Sequence, residues 1–373
     1  MKFTVCIAAL TLGLFACTTP SGNDDDDDNN GPLPDATIGA GGGMGGGAGE
    51  GGSAMGGASG TGGSGMGGMM PPMMERPIDD RCPDGQAGTY VLVMYPDRVE
   101  AYRRFDFRLT YFCEFLALAD NGITNATGMV LNRDGDQFLV VQPEDDKGAV
   151  YAFSANGEFE RRAAKNVNLA GVDGIWNSFG ERFVIWSRTS QNMYELDNDG
   201  SFRTRFQPPT IAGSRVENVT DVAFVDQDSF VATFSDRPPQ LFKQPFGPEF
   251  PAGEIGPANA VVPIQTPEGV KVLMTAQVGG EGNAYGVMLY EPIITGRRPP
   301  ELEEIMVSAD SGDIVDGIDL LLLETGFMVL DSDLAGTARI TAFNHQGEAQ
   351  DSVALQGEDS PIMIIEARIF PDL

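Results

Sequence analysis

"VYAFSANGEFERRA", residues Val150 to Ala163, alternates apolar and polar side chains on either side of a turn that ends in Gly157. A period of two places successive side chains on opposite faces of an extended chain, so the stretch predicts two strands joined by a tight hairpin. The pattern returns in "NMYELDNDGSFRTRF" from Asn192, with Gly200 in the turn, and in "RITAFNHQGEAQDSV" from Arg339, with Gly347. Weaker copies surround Gly247 in "QLFKQPFGPEF" and Gly296 in "GVMLYEPIITGRRP". The intervals between these glycines are 43, 47, 49 and 51 residues.

A second marker precedes each copy: "TGMVLNRDG" at Thr127, "DGIWNSFG" at Asp173, "DVAFVDQD" at Asp221, "NAVVPIQTPEG" at Asn259 and "DGIDLLLLETG" at Asp316. Each is a short apolar strand and a turn, followed by another strand such as "QFLVVQ", "RFVIWS", "SFVATF", "VKVLMT" or "GFMVLD". Four strands per unit at this period is the pattern of a β-propeller blade. The ends supply a further unit. "TYVLVMYPDRVEAYRRFDFRLTYFCEF" offers its later strands and "SPIMIIEARIF" a lone first strand. The expected fold is therefore all-β, a propeller of six four-stranded blades closed by pairing the N- and C-terminal strands, which removes the last free sheet edge. Seven blades result if Pro299 to Ile314 holds additional strands.

These repeats resemble those of the six-bladed propellers of the NHL and SMP-30/gluconolactonase-like families, over the whole body of the chain but only as strand, turn, glycine, strand. No WD dipeptide is present, which argues against kinship with WD40 repeats.

Foldable sequence begins near Arg81. Residues 1–80 hold ten acids against Lys2 and Arg76 and are dominated by Gly, Met, Ser and Pro. The domains expected are a signal peptide over 1–16, a tether over 17–80 and the propeller over 81–373. A Gly-rich chain of this kind is a flexible coil with a reach of roughly 40 Å. Its G-x-G-x-x-G windows lack the flanking strand and helix that a dinucleotide site requires. The whole chain carries a net charge of −30, and the body alone carries 44 acids against 22 bases. Such a surface repels nucleic acid and anionic lipid headgroups, and it attracts cations and basic partners.

The N-terminal "MKFTVCIAALTLGLFAC" has one basic residue, Lys2, ahead of an apolar run from Phe3 to Ala16, a length suited to a signal-peptide core and short for a membrane span. Leu14, Phe15, Ala16 and Cys17 resemble the lipobox of bacterial lipoproteins, although Phe15 is bulkier than that pattern usually carries. The resemblance implies cleavage before Cys17 and acylation of that residue. It makes the chain an exported lipoprotein held to a membrane, expected to be the outer membrane, by a lipid anchor. An ordinary signal peptide cleaved near Ala16 is the alternative. The acidic run Asp24–Asp28 reads as a self-repelling spacer, and is also similar to the surface-export signals of some bacterial lipoproteins. Cys6 would leave with the signal, so Cys82 and Cys113 remain in the body, as one disulfide or as two free thiols.

Catalytic chemistry is sparse. The single histidine, His345, falls in a predicted hairpin tip, and HExxH, GxSxG, GxxxxGK[ST] and CxxC are all absent. One constellation remains. First strands line a propeller's central channel, so the residues that open them, Thr127, Asp173, Asp221, Asn259, Asp316 and Asp359, are expected to ring one channel mouth. Carboxylates facing one axis repel unless hydrated, protonated or neutralised by a cation, and hard oxygen donors suit Ca²⁺ or Mg²⁺. The same residues also cap turns by bonding their own backbone. In the gluconolactonase-like family a divalent metal sits in this channel, and the resemblance would give that role to Asp173, Asp221, Asn259 and Asp316. The chain departs from the family in lacking a clear Glu on an opening strand. Two functions follow as expectations: a non-catalytic propeller that binds an envelope protein, a glycan or a cation, or a metal-dependent hydrolase or lactonase.

Overall fold

The computed structural model describes Cys82 and residues 88–369, apart from 133–134, 144–148, 164–171, 178–181, 188–191, 207–217, 227–228, 244–246, 250–254, 279–284, 293–300, 333–334 and 358. The stretches expected to be a signal peptide, a lipobox ending at Cys17 and a tether therefore lie outside the described residues.

Among the described residues, twenty-four strands form six antiparallel four-stranded sheets. Blade 1 contains β1 (Gly88–Met94), β2 (Val99–Phe105) and β3 (Arg108–Leu116). Blade 2 is β4 (Gly128–Leu131), β5 (Gln137–Gln142), β6 (Ala149–Ser154) and β7 (Phe159–Arg162), and blade 3 is β8 (Val172–Asn177), β9 (Arg182–Ser187), β10 (Asn192–Asp197) and β11 (Phe202–Phe206). Blade 4 comprises β12 (Val219–Phe224), β13 (Ser229–Phe234), β14 (Gln240–Lys243) and β15 (Gly247–Glu249). Blade 5 comprises β16 (Ile255–Thr266), β17 (Gly269–Val278), β18 (Tyr285–Glu291) and β19 (Glu301–Val307). Blade 6 is β20 (Asp319–Leu323), β21 (Gly326–Ser332), β22 (Ala338–Asn344) and β23 (Ala349–Ala354). The last strand, β24 (Met363–Ile369), pairs antiparallel with β1 from Met94↔Met363 to Gly88↔Ile369 and supplies blade 1 with its inner strand. Both ends of the body thus share one sheet. Glu301–Val307 completes blade 5 as its outer strand, so the described residues from Glu301 to Ile314 add no seventh blade.

The buried side chains divide into six apolar clusters, one at each blade–blade interface. Alternation along the strand explains the division. In β4 and β5, Met129, Phe138 and Val140 pack toward blade 1, while Val130, Leu139 and Val141 pack toward blade 3. Because both faces are covered, the inner strands read as continuous apolar runs such as "FLVV" and "FMVL". Trp186 is fully buried between blades 3 and 4, with Trp176 against the same cluster.

The turn glycines that reveal the repeat are docking points between blades. Gly157, Gly200 and Gly347 all have positive φ, and a Cβ on each would meet an atom of the preceding blade: Phe115 O at 2.8 Å, Ala163 Cβ at 2.8 Å and, closest of the three, Met306 O. Only glycine provides both the left-handed backbone and the close approach. Gly247 plays a different part, opening the outer strand β15, and Gly296 lies outside the described residues.

Cys82 and Cys113 form a disulfide with Cα atoms 4.9 Å apart, fixing the segment before β1 to β3.

Candidate functional site at the central channel

The inner strands β24, β4, β8, β12, β16 and β20 meet around the axis. At one level of this ring, side chains reach across to the backbone of the next blade. Val261 N–H donates to Asp221 Oδ2 at 2.7 Å, Ile364 N–H donates to Asp319 Oδ2 at 2.7 Å, and Met129 N–H donates to Met363 Sδ at 3.1 Å. Asp221, Asp319 and Met363 thus occupy equivalent places. Gly128 and Gly174 leave no room for such a side chain: a Cβ on Gly128 would stand 3.1 Å from Ile175 N, and one on Gly174 would stand 2.5 Å from the Trp176 ring. The Trp176 indole N–H in turn donates to the Asp221 carboxylate.

The second oxygens are also engaged. Val222 N–H donates to Asp221 Oδ1 and Leu320 N–H to Asp319 Oδ1, both at 2.8 Å. Each side chain keeps a little accessible surface along the channel, but protein surrounds it closely enough to remove most of its hydration. Burial pushes Asp221 up to about 6 against the bonds from Val261, Val222 and Trp176. Asp319 is pushed up to about 8, by burial first and by the charge of Asp221 second. Two carboxylates in one narrow channel resist ionising together.

A second acidic pair joins Asp316, in the segment before β20, to Asp331 on β21. Asp331, fully buried, accepts N–H bonds from Val315, Asp316 and Gly317 at 2.9–3.1 Å and is paired with Arg339 at 3.0 Å. Burial alone would raise it; the bonds from Asp316, from the backbone and from Arg339 more than offset that and hold it below the usual carboxylate range. Asp316 is raised, by burial first and then by its bond to Asp331, and accepts from Ser332 N at 2.9 Å and Ser332 Oγ at 2.8 Å. Together these bonds fold residues 313–317 into a fixed loop.

The residues expected to ring the channel therefore separate. Asp221 lies at the ring level. Asn259 donates through Nδ2 to the carbonyl oxygen of Asp316 at 2.7 Å, an inter-blade tie. Asp316 belongs to the loop before β20, and the ring-level acid of blade 6 is Asp319. Thr127 precedes β4, its N–H donating to Val141 O at 2.9 Å. Asp359 sits outside the ring: it is exposed and paired at 2.8 Å with Arg98, which also binds Asp97 and the buried Glu100. Asp173 falls within β8, and its side chain lies outside the described residues. His345 is exposed at the tip between β22 and β23, its Nε2 3.1 Å from Glu324 O. Among the described residues no group of three or more His, Cys, Asp or Glu is placed to hold a metal ion.

Asp319 was legible in principle. "DVAF" from Asp221 and "DLLL" from Asp319 align on their apolar residues, whereas the "DG" at Asp316 draws the alignment three residues too early. Asp331 carried no local signal, because its partners come from the segment 315–317 and from Arg339.

No protein-family profile and no curated protein matches the chain. Solved structures do. A chain of a nidogen/laminin complex matches with a TM-score of 0.54 at 11% identity, covering 75% of this chain and 98% of that one. A protein of unknown function from Bacteroides caccae gives 0.49 at 9% identity, over 76% of this chain and 100% of that one. A Bacteroides fragilis protein provisionally described as a 6-phosphogluconolactonase gives 0.48 at 10% identity, over 75% and 98%. At these identities the likeness is one of fold.

Proposed function

We propose that this chain is a bacterial lipoprotein, anchored at Cys17, whose propeller binds an envelope partner without catalysis. The observation that carries the reading is the employment of the channel carboxylates. All four oxygens of Asp221 and Asp319 accept backbone N–H groups, and the Asp316 carboxylate is held by Ser332. Acids engaged in blade-to-blade and loop bonds serve as structure, and each such oxygen has one lone pair fewer to offer a metal than a free carboxylate would. Charge favours a basic partner. Residues 81–206, which span blades 2 and 3 and most of blade 1, hold 18 acids and 14 bases, whereas residues 207–373 hold 26 and 8. The field is thus concentrated on blades 4 to 6, where it would steer a cationic protein or glycan.

Two measurements test the reading. Cys17→Ser should release the protein from membranes or leave the precursor uncleaved; full membrane retention at mature size would refute the anchor. Ca²⁺ titrated to about 1 mM should leave the melting temperature unchanged and elicit no hydrolysis of lactones or aryl esters. A Ca²⁺-dependent turnover abolished by Asp221→Asn would establish the hydrolase instead.

A further inference from the structure

Among the described residues four large apolar side chains are exposed, and three of them lie in the outer hairpins of consecutive blades. Phe159 and Phe202 open β7 and β11, each two residues after its turn glycine, and are 44% and 43% exposed. In blade 1, Phe105 ends β2 opposite Arg108 at the start of β3 and is 57% exposed. The rotational symmetry of a propeller sets these equivalent turns at one level around the ring. Arginine accompanies each phenylalanine. The Arg103 guanidinium lies 5.0 Å over the Phe105 ring, and Arg108 is exposed beside it. Arg161 and Arg203 follow Phe159 and Phe202; both are exposed and pair with Asp199 and Asp197, and ion pairs so open to water are weak and exchange readily. Blade 6 differs: the place two residues after Gly347 holds Ala349, with Asp351 beyond it.

We propose that these three hairpins are where the propeller rests on an anionic lipid bilayer, the phenylalanines entering the interface and the arginines meeting lipid phosphates. Aromatic rings beside basic side chains are what interface-lying protein surfaces carry, because the ring leaves water there while the guanidinium stays among anionic headgroups. Charge sets the orientation. Residues 207–373 hold 26 acids and 8 bases, so a negative surface repels blades 4 to 6; residues 81–206 are nearly balanced, with 18 and 14. The chain is also attached on this side. Cys82, the first described residue, is bonded to Cys113 on β3, the outer strand of blade 1, so the N-terminal segment joins at the rim that carries Phe105. The nearness of a bilayer rests on the anchor at Cys17 proposed above. With that anchor, an insertion that is weak in itself becomes intramolecular and is favoured by effective concentration. Docked in this way, the ring turns blades 4 to 6 outward, toward a cationic partner.

Tryptophan reporters test the contact without relying on acylation. The chain from residue 17 on, carrying Cys17→Ser and an N-terminal hexahistidine tag, is held by nickel-chelating lipid on phosphatidylcholine vesicles containing about 30% phosphatidylglycerol. Above the signal of Trp176 and Trp186, the emission added by Phe105→Trp, Phe159→Trp or Phe202→Trp should fall by roughly half when the acyl chains are brominated just below the headgroups; that of Ile305→Trp, exposed in blade 5, should not. Omitting phosphatidylglycerol should lessen the quenching of all three. Reporters left unquenched would overturn the docking and assign the rings to a protein partner, and equal quenching of all four would overturn it as well. Quenching indifferent to phosphatidylglycerol would overturn the part given to the arginines. Because nickel lipid replaces the native anchor, a protein that Cys17→Ser fails to release from membranes would refute the anchor and leave this result standing.

Discussion

Asp319 on the first strand of blade 6 accepts the backbone N–H of Ile364 on the closing strand at 2.7 Å, so a single buried carboxylate ties the last complete blade to the strand that seals the ring. Asp221 makes the same bond from blade 4 to Val261 of blade 5. The acids that suggested a ligand site are fasteners of the fold, and their ionisation is linked to its stability.

That linkage has a definite sign. The folded state raises Asp319 to about 8 and Asp221 to about 6, from the 3.8 ordinary for an aspartate. A raised carboxylate favours the fold fully below its unfolded value, and the contribution is lost as pH rises through the folded value. The window therefore runs from about pH 4 to 6 for Asp221 and from about pH 4 to 8 for Asp319. Asp319→Asn keeps an oxygen for Ile364 N–H and removes the charge. Its melting temperature should exceed that of the unaltered protein by roughly 5 °C at pH 8.5 and match it near pH 4, in thermal scans across that range.

Asp331 behaves in the opposite way. It compensates three backbone N–H groups and Arg339 from a fully buried position. Asp331→Ala would take the acceptor from the three N–H groups and leave Arg339 with the Asp313 carbonyl in place of a carboxylate, and should cost on the order of 3–5 kcal/mol in urea denaturation. Ser332→Ala, which removes one hydroxyl bond to Asp316, should cost about 1 kcal/mol.

The turn glycines allow a controlled comparison. Gly336 and Gly347 share nearly the same positive φ, 84° and 76°, but a Cβ at Gly336 would meet nothing within 4 Å, whereas one at Gly347 would collide with Met306 O. Gly336→Ala should cost about 1–2 kcal/mol, the strain of a left-handed alanine. Gly347→Ala should cost at least a further 1–3 kcal/mol for the displaced blade. Equal losses in equilibrium unfolding would disprove the docking role.

The disulfide closes a loop with a sequence separation of 31 residues. Chain entropy then assigns it roughly 3–4 kcal/mol, so a Cys82→Ala/Cys113→Ala double variant should melt several degrees lower under oxidising conditions. Under strong reductant the unaltered protein should fall toward the variant.

Much of the fold was legible in sequence because a propeller repeats one local unit. Each hairpin advertises itself by alternation and by a turn glycine, and the leftover strands at the two ends implied the closure that β24 and β1 make. The weak points were also local. Gly247 is the first residue of β15, whereas Gly157, Gly200 and Gly347 fall in the turns between their strands. The channel assignment slipped in blade 6, where Asp316 and Asp319 compete for one role three residues apart.

By itself the sequence determined what depends on neighbours along the chain: strand period, blade length, the cysteine pair available for bonding and the excess of acid. Tertiary structure decided what each acid does. Asp221, Asp319 and Asp331 look alike in sequence, each an aspartate beside an apolar strand. The first two are raised by burial in a shared channel, and the third, despite its burial, is lowered by its bonds to Asp316 and then by Arg339. The charge of a buried carboxylate depends on the groups within a few ångströms of it, and in this fold those groups come from other strands and other blades.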